Sequence, residues 1–231
     1  MKLELLDAYS IRARLSASII LLAPIVVTIF FCFEEIITLA SSSVLIGIIL
    51  AFTNYIPILQ RSACKNTGHV KNYAAEFLHA DNDAIDAVSK ARYYSTLANI
   101  DDSFSAFQQP ENTEAFQKRC VSAVLYLRNH TRDNRLVQEE NITYGFCKNL
   151  FATKNYGIIF SLACGTFTGI YAWNLFGAFS EIPLQYYFVF VFNLTMLAFW
   201  IRGVTKQVLE DSAIRYGKTL LAAIDTLDDT K

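Results

Sequence analysis

Residues 131–157 read TRDNRLVQEENITYGFCKNLFATKNYG, a charged stretch that ends where a long uncharged one begins. Five of its first ten residues are charged, whereas residues 156–180 carry no charge at all. A helix needs about 20 apolar residues to cross the hydrocarbon core of a bilayer, which is about 30 Å thick. The stretch therefore predicts a segment at a membrane surface that leads into a membrane-spanning helix.

The uncharged part of the chain is concentrated in two blocks, residues 15–59 and 156–201, which only Glu34, Glu35 and Glu181 interrupt. Each block is long enough for two spans with an acidic turn between them. The first apolar segment is also longer than the core of a cleaved signal peptide, which is about 7 to 15 residues. We predict an all-α integral membrane protein with two transmembrane helical hairpins at 15–59 and 156–201. A cytosolic lead (1–14), a helical cytosolic domain (60–155) and an amphipathic C-terminal helix (202–231) complete the prediction.

Basic residues flank both blocks on the sides away from their acidic turns. Arg14 precedes the first block and Arg61 follows it, while Lys154 precedes the second and Arg202 follows it. Cytoplasmic loops of membrane proteins carry an excess of Lys and Arg. The charge pattern predicts that both termini and the middle domain are cytoplasmic, and that the acidic turns face outward.

The predicted spans carry small and uncharged polar residues but no Asp, Glu, His, Lys or Arg. Small residues at steps of four let helix backbones approach closely, either within one chain or between subunits. Hydroxyls and amides line some pores and also form interhelical hydrogen bonds, so both interpretations are open. The absence of charged side chains and of histidine from the spans argues against a proton pump or voltage sensor. The candidate pore or packing residues are Ser43, Gly47, Asn54, Ser161, Gly165, Thr168, Gly169, Asn174 and Asn193.

The middle domain shows helical patterns without strong strand alternation. Asn82 or Asp83 is the predicted cap of a helix that runs to about Asn99, with Asp86 and Lys90 as an i, i+4 ion pair. A second helix is predicted to begin near Asn112 or Thr113. Its predicted buried face comprises Phe116, Cys120, Val124 and Leu127.

The C-terminal helix repeats apolar residues at alternating steps of four and three. This is the a/d pattern of a coiled coil, although the repeat covers fewer than three heptads. Oligomerisation and docking on the cytosolic domain are both open interpretations. The repeating residues are Leu209, Ala213, Tyr216, Leu220, Ala223 and Leu227.

Motifs for catalysis are missing from the sequence. It contains no glycine-rich phosphate loop, nucleophile elbow or paired metal motif, and its three histidines form no HExxH. Its five cysteines include no CxxC pair, which favours free thiols. We therefore predict a protein that is not an enzyme and that holds neither a cofactor nor a metal.

Basic and aromatic residues recur through the middle domain, a mixture that holds phosphates and bases of single-stranded nucleic acid. However, residues 60–155 contain twelve basic and eleven acidic residues. This balance favours ion pairs or contacts with anionic lipid headgroups. The candidate ligand-binding residues are Lys90, Arg92, Tyr93, Lys118, Arg119, Arg128, Arg132, Arg135, Tyr144 and Lys148.

The opening stretch also carries a family resemblance. Its motifs are Thr131-Arg132-Asp133, Glu140-Asn141, Tyr144-Gly145-Phe146, Asn149-Leu150 and Gly157-Ile158, with weaker similarity at Tyr9-Ser10-Ile11-Arg12-Ala13-Arg14, Leu78-His79-Ala80-Asp81 and Lys90-Ala91-Arg92-Tyr93-Tyr94. In these motifs the chain resembles the membrane effector family of the Hailong anti-phage defence system, four-span bacterial proteins encoded beside a nucleotidyltransferase.

The resemblance implies a function that composition does not. It implies an ion-conducting homo-oligomer of the bacterial inner membrane, with a tetramer as the expected assembly. Single-stranded DNA oligomers made by the nucleotidyltransferase would hold the channel closed, and their loss would depolarise the cell and stop its growth. A membrane scaffold or sensor that does not conduct is the alternative.

Overall fold

The computed structural model describes residues 9–33, 39–67, 71–100, 102–108, 110 and 113–227. In these residues the regular elements are helices and there is no β-strand. The all-α prediction is therefore confirmed. The predicted acidic turn at Glu34 and Glu35 and the first eight residues of the lead lie outside the described residues.

Eight α-helices follow one another along the described chain. They are α1 (Ser16–Cys32), α2 (Leu39–Thr67), α3 (Tyr73–Phe77), α4 (Ala87–Ile100), α5 (Glu114–His130), α6 (Arg135–Phe176), α7 (Leu184–Ala198) and α8 (Lys206–Ala222). Contacts divide the chain into two compact units. Unit 1 is Met1–Gly68 with Gly145–Leu209, and unit 2 is His69–Tyr144 with Glu210–Lys231.

Three segments are long and apolar enough to cross a membrane, namely Ile11–Cys32, Arg135–Phe176 and Leu184–Gly203. They contain the predicted first, third and fourth spans. The predicted second span falls in α2, where the described residues include a shorter apolar segment, Ile46–Leu59. A fourth crossing at α2 stays a prediction.

Unit 1 has two apolar clusters. One joins Leu21 of α1, Ile56 of α2, Leu150 of α6 and Trp200, which is fully buried. The other joins Cys32, Ala172 and Tyr186. The helix α6 runs antiparallel to α7 and to the segment Phe199–Gly203 that follows it. A Cβ atom at Gly157 would overlap the Trp200 ring, and one at Gly165 would lie 3.5 Å from the Cβ of Asn193. Close approach of the two helices depends on these glycines.

Glycine also ends α6. Gly177 has a φ of 70°, and its backbone N–H donates to the Trp173 carbonyl at 2.9 Å. This left-handed conformation is common just after a helix and favours glycine, which has no Cβ atom to clash. The chain then turns through the 3₁₀ segment Phe179–Glu181 into α7.

The helix starts of unit 2 are set by polar caps. Thr113 Oγ1 accepts from the Phe116 N–H at 3.2 Å, which confirms the predicted start of α5. The start predicted for α4 is wrong, because Asp86 is the residue that caps it, with Oδ1 accepting from the Ser89 N–H at 2.8 Å. Asn82 instead stabilises the preceding turn by accepting from the Ala84 N–H at 2.9 Å. Asparagine and aspartate suit both positions, since each accepts from nearby backbone amides.

One hydrophobic core organises unit 2. The predicted buried face of α5 is confirmed, with Phe116, Cys120, Val124 and Leu127 all nearly or fully buried. The tail contributes to the same core through Tyr216, Leu220, Leu221, Ala223 and Ile224. The tail therefore packs against the helices of unit 2, as the docking interpretation of its periodicity predicts. These apolar side chains are packed within one chain and are not available as a seam between subunits.

Candidate functional site

The candidate ligand-binding residues separate into groups once their contacts are known. Three of them, Lys90, Arg92 and Tyr93, make contacts that stabilise unit 2 itself. Lys90 is 8% exposed, and its ammonium donates to the carbonyls of His79 at 2.8 Å and of Asn82. Burial lowers its pKa, an effect that nearby Asp83 and Asp81 oppose. The predicted pair with Asp86 is replaced by these carbonyl contacts, so Lys90 is not a surface cation.

Arg92 is engaged by a carboxylate from the C-terminal part of unit 2. Its Nε and Nη2 donate to the two oxygens of Asp225 at 2.9 and 2.8 Å, a bidentate ion pair. Hydrogen bonding to Asp225 raises the pKa of Arg92. The neighbouring Tyr93 is buried, which raises the pKa of its phenol. Arg92 and Tyr93 therefore connect α4 to the 3₁₀ segment Ala223–Thr226.

The next two candidates lie on α5. Lys118 forms an ion pair with Glu114 at 2.9 Å, and both side chains are more than three-quarters exposed. Such an exposed pair contributes little to stability. Arg119 is exposed and borders an open cavity of about 410 Å³ with Ser105, Gln108 and Thr113. The cavity is polar, but no feature of it selects a ligand.

The turn between α5 and α6 carries two exposed arginines. Arg132 donates to the Asn129 side chain at 3.0 Å. Arg135 is the first residue of α6 and forms no ion pair with another described residue. Asn134 caps α6, because its Oδ1 accepts from the N–H groups of Leu136 and Val137 at 3.1 and 3.2 Å. The turn thus holds two guanidinium groups at the beginning of the longest helix of the protein.

Arg128 and Tyr144 belong to a stacked group on α5, α6 and α8. The Arg128 guanidinium lies 5.7 Å from the Tyr216 ring centre, and the rings of Tyr216 and Tyr144 stack at 5.8 Å with an interplanar angle of 10°. Burial raises the pKa of Tyr216, and the adjacent guanidinium of Arg128 partly offsets the rise. Lys148, the last candidate, is half-buried and belongs to unit 1.

Neither Arg215 nor Tyr216 is among the candidate ligand-binding residues, because the heptad repeat of the tail predicts only buried positions such as Tyr216. The signal was present. Arg215-Tyr216 is an adjacent basic and aromatic pair, as is the candidate pair Arg92-Tyr93. Residues of an amphipathic helix serve its core and its surface at once, so one pattern does not exclude the other.

The candidate pore or packing residues have two distinct environments in unit 1. Ser161 is buried and donates to the Gly157 carbonyl at 2.8 Å, and Thr168 is buried and donates to the Cys164 carbonyl at 2.8 Å. Asn193 is also buried, and its amide donates to Thr28 Oγ1 at 3.1 Å and to the Val189 carbonyl at 2.9 Å. These three polar groups support packing within the chain.

Gly165 is buried beside Asn193, whereas the other five candidates are exposed. Ser43, Gly47 and Asn54 of α2 and Gly169 and Asn174 of α6 are exposed. A Cβ atom built on Gly47 would meet no atom within 4 Å, whereas one on Gly169 would lie 3.8 Å from the Phe190 ring. Among the described residues, Gly47 of α2 therefore has no close neighbour on its Cα.

Two polar side chains of α6 contact other backbone segments of unit 1. Asn149 donates to the carbonyl of Ala13, in the π-helical segment Ser10–Leu15, at 2.7 Å. Lys154 donates to the Val204 carbonyl at 2.7 Å, just after the π-helical segment Phe199–Gly203. π-Helical turns disturb the regular bonding of an α-helix, and side chains commonly satisfy the carbonyls released.

Known proteins offer no guide to these arrangements, since no family model, curated protein or solved structure matches the chain. The assignment of a function therefore depends on the chemistry of the residues described above and on the resemblance of the sequence motifs.

Proposed function

We propose that this protein is a homo-oligomeric ion channel of the bacterial inner membrane and the effector of an anti-phage defence system. In this proposal the four predicted spans, α1, α2, the apolar part of α6 and α7, form two transmembrane hairpins, and both termini are cytoplasmic. A single-stranded DNA oligomer, made by a nucleotidyltransferase encoded nearby, binds unit 2 and holds the channel closed. Loss of the oligomer opens the channel and depolarises the cell.

One observation carries the proposal. The helix α6 begins at Arg135, beside the exposed Arg132, and continues without interruption into an apolar segment that ends at Phe176. At 1.5 Å per residue its 42 residues extend about 63 Å, roughly twice the thickness of the hydrocarbon core. A cationic group suited to a polyanion, Arg135, thus belongs to the same helix as a candidate span, and Arg132 lies in the turn just before it.

Control by a ligand requires that the ligand binds one conformation better than the other, because equal affinity for both shifts nothing. The arginines at the start of α6 provide a means for such a difference, since a phosphate bound to them would favour one position of that helix. The exposed Ser43, Gly47 and Asn54 of α2 supply a small, polar face for contacts between subunits or for a pore.

A second function, a membrane scaffold or sensor that does not conduct, has its own support. Ser161, Thr168 and Asn193 use their polar groups within the chain. Fewer hydroxyls and amides are then available for a pore than the sequence indicates. Ion flux separates the two functions.

The test is ion flux through liposomes that contain the full-length protein, measured with and without a single-stranded DNA oligomer. We expect flux without DNA and a reduced flux with it. Arg132→Glu combined with Arg135→Glu is expected to weaken DNA binding by about tenfold or more, since hydrogen bonds to charged groups contribute about 1.5 kcal/mol each. The double variant should conduct in the presence of DNA and be toxic in cells.

A matched control reverses two exposed lysines of unit 2 that are not candidate ligand-binding residues, Lys71→Glu with Lys218→Glu. Its net charge equals that of the arginine variant, but it should retain more DNA binding. Absence of flux in both conditions would contradict the channel and favour the scaffold. Flux that is indifferent to DNA would leave a channel and remove the proposed ligand.

A further inference from the structure

The stacked group of unit 2 holds a guanidinium in a fixed position. Arg128 of α5 lies over the Tyr216 ring of α8, and the same ring stacks with Tyr144 of α6. Tyr216 is only 7% exposed, whereas Arg128 is exposed. A guanidinium that rests on an aromatic face loses less freedom when it binds an anion than a mobile one. Arg128 is therefore an ordered cation with its polar edge in solvent.

A second guanidinium lies next to this stack. Arg215 precedes Tyr216 on α8 and is 63% exposed, and its Nε is 3.9 Å from Oε2 of Glu140. That distance permits electrostatic attraction but is too long for a hydrogen bond. Glu140 lies one turn before Tyr144 on α6, and Arg215 lies next to Tyr216 on α8, so the loose pair and the stacked group both join α6 to α8.

The carboxylate of Glu140 is incompletely paired. Its Oε2 atom is buried and accepts no hydrogen bond from the described protein atoms. Arg215 is near enough to attract this carboxylate, but the missing hydrogen bond shows that the pair is loose. Arg215 is thus attracted to Glu140 without being fully engaged by it, and most of its donors face solvent.

We infer that Arg128 and Arg215 each bind a phosphodiester group of an oligonucleotide, and that Glu140 competes with the phosphate for Arg215. This inference rests on the proposed function and names residues of unit 2 that hold its ligand. Arginine suits the task because its planar fork of donors matches phosphate oxygens. The phosphate replaces a loose contact to Glu140 with direct hydrogen bonds.

The competition makes opposite predictions for the two members of the pair. Arg215→Gln removes a phosphate contact and should weaken binding of a labelled single-stranded DNA oligomer about fivefold. The slope of log affinity against log salt should become shallower by about 0.7, the value for one phosphate of a single strand. Glu140→Gln removes the competing charge and should strengthen binding about two- to threefold with an unchanged slope.

The experiment is fluorescence anisotropy of the oligomer with full-length protein in detergent, at several salt concentrations. Lys218→Gln is the control for Arg215→Gln, since it removes an exposed positive charge from the same helix. Asp83→Asn, in the loop before α4, is the control for Glu140→Gln. Both controls should stay within about twofold of the wild type. A gain of affinity in Glu140→Gln cannot arise from misfolding, so it tests the site even if Arg215→Gln unfolds unit 2.

The outcomes separate the inference from the function on which it rests. If the wild type binds DNA but Arg215→Gln equals Lys218→Gln and Glu140→Gln gains nothing, the assigned site is wrong while the proposed ligand stands. If the wild type binds no DNA at any salt concentration, both the ligand and the site are wrong.

Discussion

At the residue scale, Cys120 shows how burial in unit 2 controls chemistry. Its side chain is fully buried in the core, and burial raises the pKa of its thiol to about 12. Because the thiolate is the nucleophile, a raised pKa leaves very little reactive form at pH 8. We expect the Cys120 thiol to react with a maleimide at least about a hundredfold more slowly than an exposed cysteine.

The comparison uses two variants without the other cysteines, one that retains Cys120 and one with Cys120→Ala and Ser122→Cys. Ser122 is exposed on the same helix, so its cysteine reports ordinary reactivity. The rate at Cys120 should rise tenfold per pH unit up to pH 9 and reach the exposed rate only after denaturation. Equal rates for the two folded variants would show that the core around Cys120 is open.

The basic residues illustrate why the candidate site was only partly predictable. Lys90 and Arg132 are alike in sequence, each a cation near polar residues. Lys90 is buried because the turn from His79 to Asn82 presents carbonyls that need a donor, and its ammonium supplies one. Arg132 lies on the turn before α6, where the Asn134 side chain, and not Arg132, satisfies the first backbone N–H groups of the helix. Only the tertiary arrangement of backbone carbonyls distinguishes the two roles.

At the element scale, the approach of α6 to α7 depends on Gly157. A Cβ atom there would overlap the indole ring of the fully buried Trp200. We expect Gly157→Ala to destabilise unit 1 by about 1–3 kcal/mol, the usual cost of overpacking a core. The measurement is thermal unfolding in detergent. Gly47→Ala is the matched control, because a methyl group there meets no atom within 4 Å.

Alanine has the higher helix propensity, by about 1 kcal/mol, so Gly47→Ala should be neutral or slightly stabilising. A loss of stability at Gly47 equal to that at Gly157 would mean that α2 packs closely against something in the detergent-extracted protein. A second subunit is then the first partner to test, by light scattering.

Periodicity predicted which faces of the helices are buried more reliably than it predicted their partners. For α5 the sequence predicted the helix start, because Thr113 caps it, and the buried face, because its apolar residues all lie in the core of unit 2. The tail pattern also identified Tyr216, Leu220 and Ala223 as buried. A heptad repeat, however, describes one surface of one helix. It does not reveal whether the covering surface belongs to the same chain or to another.

At the scale of the whole molecule, length and hydropathy identified the helical class and three helices able to span a membrane. The crossing of α2 is harder to predict, because its apolar segment Ile46–Leu59 is flanked by the polar Ser43 and by Arg61. Hydropathy alone places such a helix between a full span and a partly buried one. Charge provides an independent criterion for the same question.

The number of crossings determines the side of every later segment. If α1 and α2 both cross, Arg61 returns to the side of Arg14, and residues 71–144 are cytoplasmic. If α2 does not cross, residues 71–144 and the C-terminus are external. The turn between α6 and α7 is then cytoplasmic. The basic residues Arg14, Arg61 and Arg202 share one side only when α2 crosses, as the positive-inside rule requires.

Reporter proteins inserted at Pro110, inserted at Glu181, and fused after Lys231 test this prediction. Pro110 and Glu181 are both exposed, so insertions there should leave the helices intact. We expect cytoplasmic signals at Pro110 and Lys231 and an external signal at Glu181, because positive charges retain their segments in the cytoplasm. Arg14→Gln combined with Arg12→Gln should reduce the fraction of protein molecules in this orientation. All three reporter signals should then change together, because the whole protein inverts. External signals at Pro110 and Lys231 together with a cytoplasmic signal at Glu181 would contradict this topology, because three crossings and an inverted four-span orientation both give that pattern. Unit 2 would then face away from any cytosolic oligonucleotide.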